Sequence, residues 1–262
     1  NSYGIAGWTK NDAKLLIYDR YDLWMIDPDM KTSPVNITNQ WGRNNNTSFR
    51  YIHLDDENDY INPKEDLLLK SFNFNNNKQS GFFTITMNDK TDPEELITDD
   101  AYYYNPEKAK NAEKLIWQRS TFNEYYDLWV SDMDFSNTEK ISNENPQKEE
   151  YLWGDVELYK WITADGTEEE GLLYKPENFD PNKKYPMIVY FYRLHSDGIH
   201  RHYVPKPSRS TINPTFYTSN GYFVFMPNIR YKTGYPGESA YNYVVSGTLA
   251  LLNERSYLDK DA

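Results

Sequence analysis

The sequence contains no cysteine. That excludes disulfides, thiolate zinc sites and a cysteine nucleophile, but leaves an extracellular address open. No stretch approaches the roughly 20 apolar residues that a membrane span requires. There is no long basic run. Basic residues are scattered, as at Lys183-Lys184 and between Arg193 and Arg209, and the net charge is −12. Nucleic acid is therefore excluded as an expected partner, because phosphate binding needs a basic patch. Apolar residues make up only 38% of the 262 positions, a share that already includes 24 Tyr and 7 Trp. Those aromatics bury large areas while keeping a polar handle, which argues against global disorder. No secretion signal opens the chain. Asn1-Ser-Tyr-Gly-Ile5 reads as the start of a strand, so the expectation is a mature product or a piece of something longer. Nothing in the composition calls for a cofactor.

What is present falls into two kinds of pattern. Residues 1 to about 145 repeat. Ala13–Tyr18, Tyr21–Asp27 and Pro34–Thr38 form one set of strand signatures. Glu65–Lys70, Gly81–Met87 and Pro93–Thr98 form a second, and Glu113–Gln118, Tyr126–Asp132 and Thr138–Ser142 a third. Leu15, Leu67 and Leu115 hold equivalent places, a period of about 50 residues. Units of that length with about four strands each are the pattern of β-propeller blades. Three blades do not close a propeller, so further blades or an open array with exposed edges are expected. Tyr-Asp-Leu-Trp recurs at 21–24 and 126–129. Asp22 and Asp127 are read as outward polar residues whose Leu and Trp neighbours point into the blade, rather than as a binding face. The acidic run 55–59 lacks the loop Gly and closing Glu of an EF-hand and is read as a solvated loop. Asn36-Ile-Thr38 and Asn45-Asn-Thr47 match glycosylation acceptors, as chance allows in an Asn-rich chain.

Residues 143–150 are polar, contain Pro146 and read as a linker. The domain expectation is therefore a partial propeller over 1–150 and a second domain over 151–262. The second opens with a hairpin: Val156–Thr163, an Asp165-Gly166 turn lengthened by Thr167–Glu170, and Gly171–Pro176. Two apolar runs follow, Tyr185–Tyr192 and Tyr222–Pro227. Each is short, β-branched or aromatic, and bounded by turn signals, so each predicts a strand buried on both faces. Pro214–Ser219 between them suits a short helix. Strand, crossover and strand imply a parallel pair. Tyr241–Arg255 predicts a longer helix whose apolar face carries Val244, Val245, Thr248, Leu249, Leu251 and Leu252.

The order Trp161…Asp165-Gly166…Gly171…Leu173-Tyr-Lys-Pro176…Phe179-Asp-Pro…Lys184-Tyr-Pro-Met-Ile-Val189…Gly221-Tyr-Phe-Val…Asn228-Ile-Arg230…Gly234-Tyr resembles the prolyl oligopeptidase family of serine peptidases. The nearest subgroups are the dipeptidyl peptidase IV-like and acylaminoacyl-peptidase-like bacterial members. The resemblance covers 151–262 well and the blades generically. It implies β-propeller blades followed by the N-terminal part of an α/β-hydrolase domain, cleavage of short peptides through a Ser-His-Asp acyl-enzyme, and a periplasmic or secreted parent in preference to a cytoplasmic one, which stays open. It also implies that Tyr192 donates its hydroxyl to the oxyanion, although Arg193-Leu194-His195 stands where the family carries small residues and Pro. Arg230 matches the family's loop Arg and is read as ordering that loop.

The nucleophile elbow G-x-S-x-G is absent. Gly237-Glu-Ser239-Ala-Tyr241 has Tyr where the turn needs a small residue, and no strand precedes it. His53, His195, His200 and His202 follow no elbow, and Ile199–Tyr203 offers no carboxylate for a metal. The expectation is a segment holding the last blades and the opening of a catalytic domain, with nucleophile Ser, Asp and His outside it. Such a segment would be inactive alone and inclined to self-associate, because Tyr222–Pro227 would lack a neighbour on one side. A second reading stays open: a propeller joined to a hydrolase-like domain that binds without catalysis.

Overall fold

The computed structural model describes residues 2–55, 57–87, 91–206 and 208–262. Two compact units emerge. One comprises Asn1–Arg119 with Tyr126–Asn143, the other Ser120–Tyr125 with Glu144–Ala262.

The first unit consists of three four-stranded sheets in which strands adjacent in sequence lie side by side. Sheet one holds β1 (Ile5–Trp8), β2 (Leu15–Tyr18), β3 (Leu23–Ile26) and β4 (Val35–Asn36). After a single helical turn, α1 (Trp41–Asn44), sheet two follows with β5 (Thr47–Ile52), β6 (Asp66–Asn73), β7 (Ser80–Thr86) and β8 (Glu94–Asp99). Sheet three holds β9 (Tyr102–Lys108), β10 (Lys114–Ser120), β11 (Asp127–Asp132) and β12 (Glu139–Lys140). Sheets one and two are antiparallel throughout, as are β10 to β12. The three repeats are three blades, and α1 is the longest α-helix among the unit's described residues.

Alternation along β6 shows what drives the stacking. Leu67 and Leu69 pack with Leu16 and Leu23 of the first sheet, and Leu68 packs the other way with Tyr103, Leu115 and Trp117 of the third. Successive strand residues face opposite sides, so a run of three leucines serves two interfaces. Each fully buried Leu contributes roughly 2 kcal/mol of transfer free energy.

The repeated aspartates correct the sequence reading. Asp22 is fully buried, and its carboxylate accepts from Thr38 Oγ1 at 2.8 Å and from the Gly42 and Arg43 amides at 3.0 and 3.3 Å. Asp127 is likewise buried, accepting from Ser142 Oγ at 2.7 Å beside Lys140. Neither points outward. Each ties the start of its blade's third strand to the chain after the fourth. A carboxylate facing several donors tolerates burial that an isolated one does not. The Asn36 amide nitrogen is buried too, which removes that residue as a glycan acceptor. Asp56 of the acidic run lies outside the described residues.

The second unit is built on one mixed sheet with strand order β13-β14-β16-β15. β13 (Asp155–Ile162) and β14 (Glu168–Lys175) form the hairpin, in register from Asp155↔Lys175 to Ile162↔Glu168. Glu168–Glu170 therefore belong to the strand, not to a lengthened turn. β15 (Met187–Val189) crosses through α2 (Pro214–Ser219) to a parallel partner, β16 (Phe223–Pro227). Asn213 caps α2, its side chain accepting from the Phe216 amide, and Pro214 sits at the first helical position, where no N–H is needed.

β16 is interior, antiparallel to β14 and parallel to β15, so the expected unpaired edge does not lie there. The flank of β15 meets Leu258 through a parallel bridge at Tyr185, with Tyr185 N on Tyr257 O and Asp259 N on Tyr185 O, both at 2.9 Å. β16 is buried on both faces as expected. Phe223 and Phe225 pack with Tyr159, Trp161 and Leu251, and Val224 and Met226 with Phe122, Trp153 and Tyr174. β15 is shorter than its apolar run and only half buried. α3 spans Pro236–Glu254, five residues earlier than predicted. Its buried stripe is Ser239, Tyr243, Gly247 and Leu251, while Leu249 is exposed. The glycine sets that face: a Cβ at 247 would sit 2.9 Å from Trp161 and 3.1 Å from Phe225.

Candidate functional site

Parallel pairing brings the carboxyl ends of β15 and β16 to the same edge of the sheet, where the loops leaving an open α/β sheet form a crevice. The first loop runs from Tyr190 to Ser196 and the second from Asn228 to Lys232. Tyr190 N still bonds Phe225 O at 2.9 Å, and then the chain turns outward. Phe191 to Leu194 are all exposed.

Asn228, almost fully buried, joins the two loops. Its Oδ1 accepts from the His195 and Ser196 amides at 2.6 and 3.0 Å, and its Nδ2 donates to Ser196 Oγ at 2.8 Å. Ser196 Oγ passes the chain on to Glu170 Oε1 at 2.7 Å. Ile229 N donates to Arg193 O at 2.6 Å, and the Tyr231 hydroxyl donates to Tyr192 O at 2.8 Å. Beneath them Arg230 forks onto Glu169, Nε to Oε2 at 2.5 Å and the second nitrogen to Oε1 at 3.3 Å. Burial opposes the Arg230 charge, but the Glu169 hydrogen bonds and charge outweigh it and hold the guanidinium above its usual value. Tyr192, Arg193, Leu194, Ile229, Arg230 and Tyr231 then line a cavity of about 550 Å³.

Tyr192 is 76% exposed, and its hydroxyl has no hydrogen-bond partner among the described residues. It stands three residues beyond β15, on the rim of the cavity, as an unengaged donor. Arg230 ties its loop to β14 through Glu169. Ser239 is excluded as a nucleophile by its surroundings. It is buried within α3, donates to Tyr235 O at 2.8 Å and accepts from Lys232 N at 3.0 Å.

The histidines do not gather. His202 is buried against Trp153, with ring centroids 4.6 Å apart and near-parallel planes, and Nδ1 meets Phe122 O at 3.0 Å. Burial lowers the pKa of His202 and of His195. No cluster of three His, Asp or Glu residues suited to a metal occurs among the described residues. No helix among them is long and apolar enough to cross a membrane. Sequence reasoning missed Asn228, Glu169 and Glu170. Asn228 stood in the sequence only as part of the Asn228-Ile-Arg230 run, and the acidic triplet Glu168–Glu170 looked like turn.

Three blades followed by the first strands of an α/β-hydrolase sheet define the class. No protein-family model matches the chain. It is 32% identical over 135 residues to dipeptidyl-peptidase 5 of Porphyromonas endodontalis, which is 50% of this chain and 18% of that protein. Dipeptidyl peptidase 4 of Porphyromonas gingivalis superposes with a TM-score of 0.65 at 13% identity, over 98% of this chain and 36% of the other. Acylaminoacyl peptidase of Pyrococcus horikoshii gives 0.59 at 12%, over 98% and 39%. The family these likenesses support is the prolyl oligopeptidase family of serine peptidases, the chain covering only a part of each neighbour.

Proposed function

We propose that the chain is part of a serine exo- or oligopeptidase that cleaves short peptides. Residues 1–150 supply propeller blades and residues 151–262 the opening of the catalytic domain. The observation that carries the reading is Tyr192, a free phenol at the carboxyl end of a parallel strand beside a cavity, in a fold shared with dipeptidyl and acylaminoacyl peptidases.

In this reading a serine outside the segment attacks the scissile carbonyl, with His and Asp partners also outside it. This chain's own contribution is electrostatic. Tyr192 donates its O–H to the oxygen as negative charge develops there. A donor carried on an anchored loop needs little rearrangement at the moment of reaction. Asn228, Tyr231 and the Arg230–Glu169 pair hold the loop that carries it.

The test compares this 262-residue chain with a longer form that continues past Ala262, on dipeptidyl and acyl-peptide chromogenic substrates. The longer form is expected to turn over substrate and to lose activity to a serine-directed covalent inhibitor, and the chain alone to do neither. A longer form that binds peptides without hydrolysing them would replace the peptidase reading with the binding-protein one.

A further inference from the structure

We infer that the cavity between the Tyr192 and Arg230 loops is a carboxylate site, with Arg193 as the group that receives the anion. The chain carries a net charge of −12, yet the lining of this cavity presents two arginines and no acid. The charge of Arg230 is matched by the Glu169 carboxylate it forks onto, and that side chain is only 1% exposed. Arg193 has no such match. It is exposed and makes no ion pair among the described residues. Its backbone, in contrast, is fixed, because Arg193 O accepts from Ile229 N at 2.6 Å and the next carbonyl back, Tyr192 O, from Tyr231. The result is a free guanidinium on an anchored loop, walled by Tyr192, Leu194, Ile229 and Tyr231. A planar five-donor fork suits a carboxylate in bidentate geometry. Against the chain's overall negative potential, a local inversion of sign selects for an anion.

The identity of the ligand as a peptide rests on the peptidase reading. If Tyr192 faces the scissile carbonyl, the adjacent Arg193 side chain spans roughly 7 Å, about two extended residues. The substrates it favours then carry a carboxylate one or two residues from the bond cut. That group is either the C-terminus of a short peptide or an acidic side chain.

The test is binding to the 262-residue chain by NMR titration or calorimetry at low salt. The probes are tetra-alanine with a free C-terminus, the same peptide amidated, and an amidated peptide with one internal Glu. The free acid is expected to bind at least about tenfold more tightly than the amide, as loss of a charge-assisted pair implies. Arg193→Gln should abolish that difference and Arg193→Lys should keep part of it, with circular dichroism unchanged in both. Tight binding of the Glu-containing amide would assign the site to acidic side chains, and weak binding of it to the C-terminus. Equal binding of all three probes, or a preference that survives Arg193→Gln, overturns the inference. Because the readout is binding alone, an inert longer form would remove the peptidase reading and leave this result standing. An active longer form with no carboxylate preference would do the reverse.

Discussion

Replacing Asn228 by Ala should loosen the proposed oxyanion loop without disturbing the blades. The side chain serves three groups, the amides of His195 and Ser196 and the hydroxyl of Ser196. The hydroxyl keeps Glu170 as an acceptor, but the two amides lose theirs. A buried donor left unsatisfied costs about 1–3 kcal/mol. The space vacated by a carboxamide admits water, which favours the lower part of that range. The sum is about 2–3 kcal/mol of local stability. At about 1.4 kcal/mol per factor of ten, hydrogen exchange at 193–196 and 228–231 should accelerate by about 30- to 140-fold. Peptides from β5 to β8 should be unchanged. Mass spectrometry of exchange in both proteins at one pH gives the answer. Acceleration below about threefold, or spread evenly over both units, would refute the view that Asn228 is the tie between the loops.

Three other outcomes follow from the same packing. Asp22→Ala should lower the melting temperature of the first unit, at a cost of about 3 kcal/mol, because Thr38 and two amides lose a buried acceptor; differential scanning calorimetry reads it. Gly81→Ala should be at least as damaging, about 3 kcal/mol, since its Cβ would fall 1.9 Å from Ile97 O across the β7–β8 ladder, and an unshifted urea midpoint would contradict that geometry. Burial depresses the pKa of His195 and His202 in the folded chain, so the unfolded chain binds more protons as pH falls below about 6.5. Stability should therefore be fuller above that value and decline as pH falls below it, and His202→Phe should flatten the decline measured by urea titration.

The blades were legible because their signal is repetition, and repetition survives ignorance of contacts. The first strands of the second and third blades were not. Thr47–Ile52 and Tyr102–Lys108 interleave Ser, Arg, Asn, Pro and Glu with their apolar residues, and only pairing with β6 and β10 shows them to be strands. Asp22 looked like an outward polar residue because alternation says nothing about a donor sixteen positions away. On α3, a count of apolar residues favoured Leu249, whereas the helix buries Ser239 and Gly247, residues small enough to let it approach the sheet. At the candidate site, Tyr192 and Arg230 were reached through family resemblance. Asn228 and Glu169 matter through partners 32 and 61 positions distant, which no local pattern reveals.

The central claim is that this segment gives a serine peptidase its oxyanion donor while the nucleophile lies elsewhere. Tyr192→Phe in the longer form tests it most directly, because only the hydroxyl is removed. The expected result is a fall in kcat of about 100-fold with KM nearly unchanged, as for loss of one preorganised donor. A serine-directed probe should label a residue outside 1–262. An undiminished kcat, or a labelled serine within these 262 residues, would contradict the account.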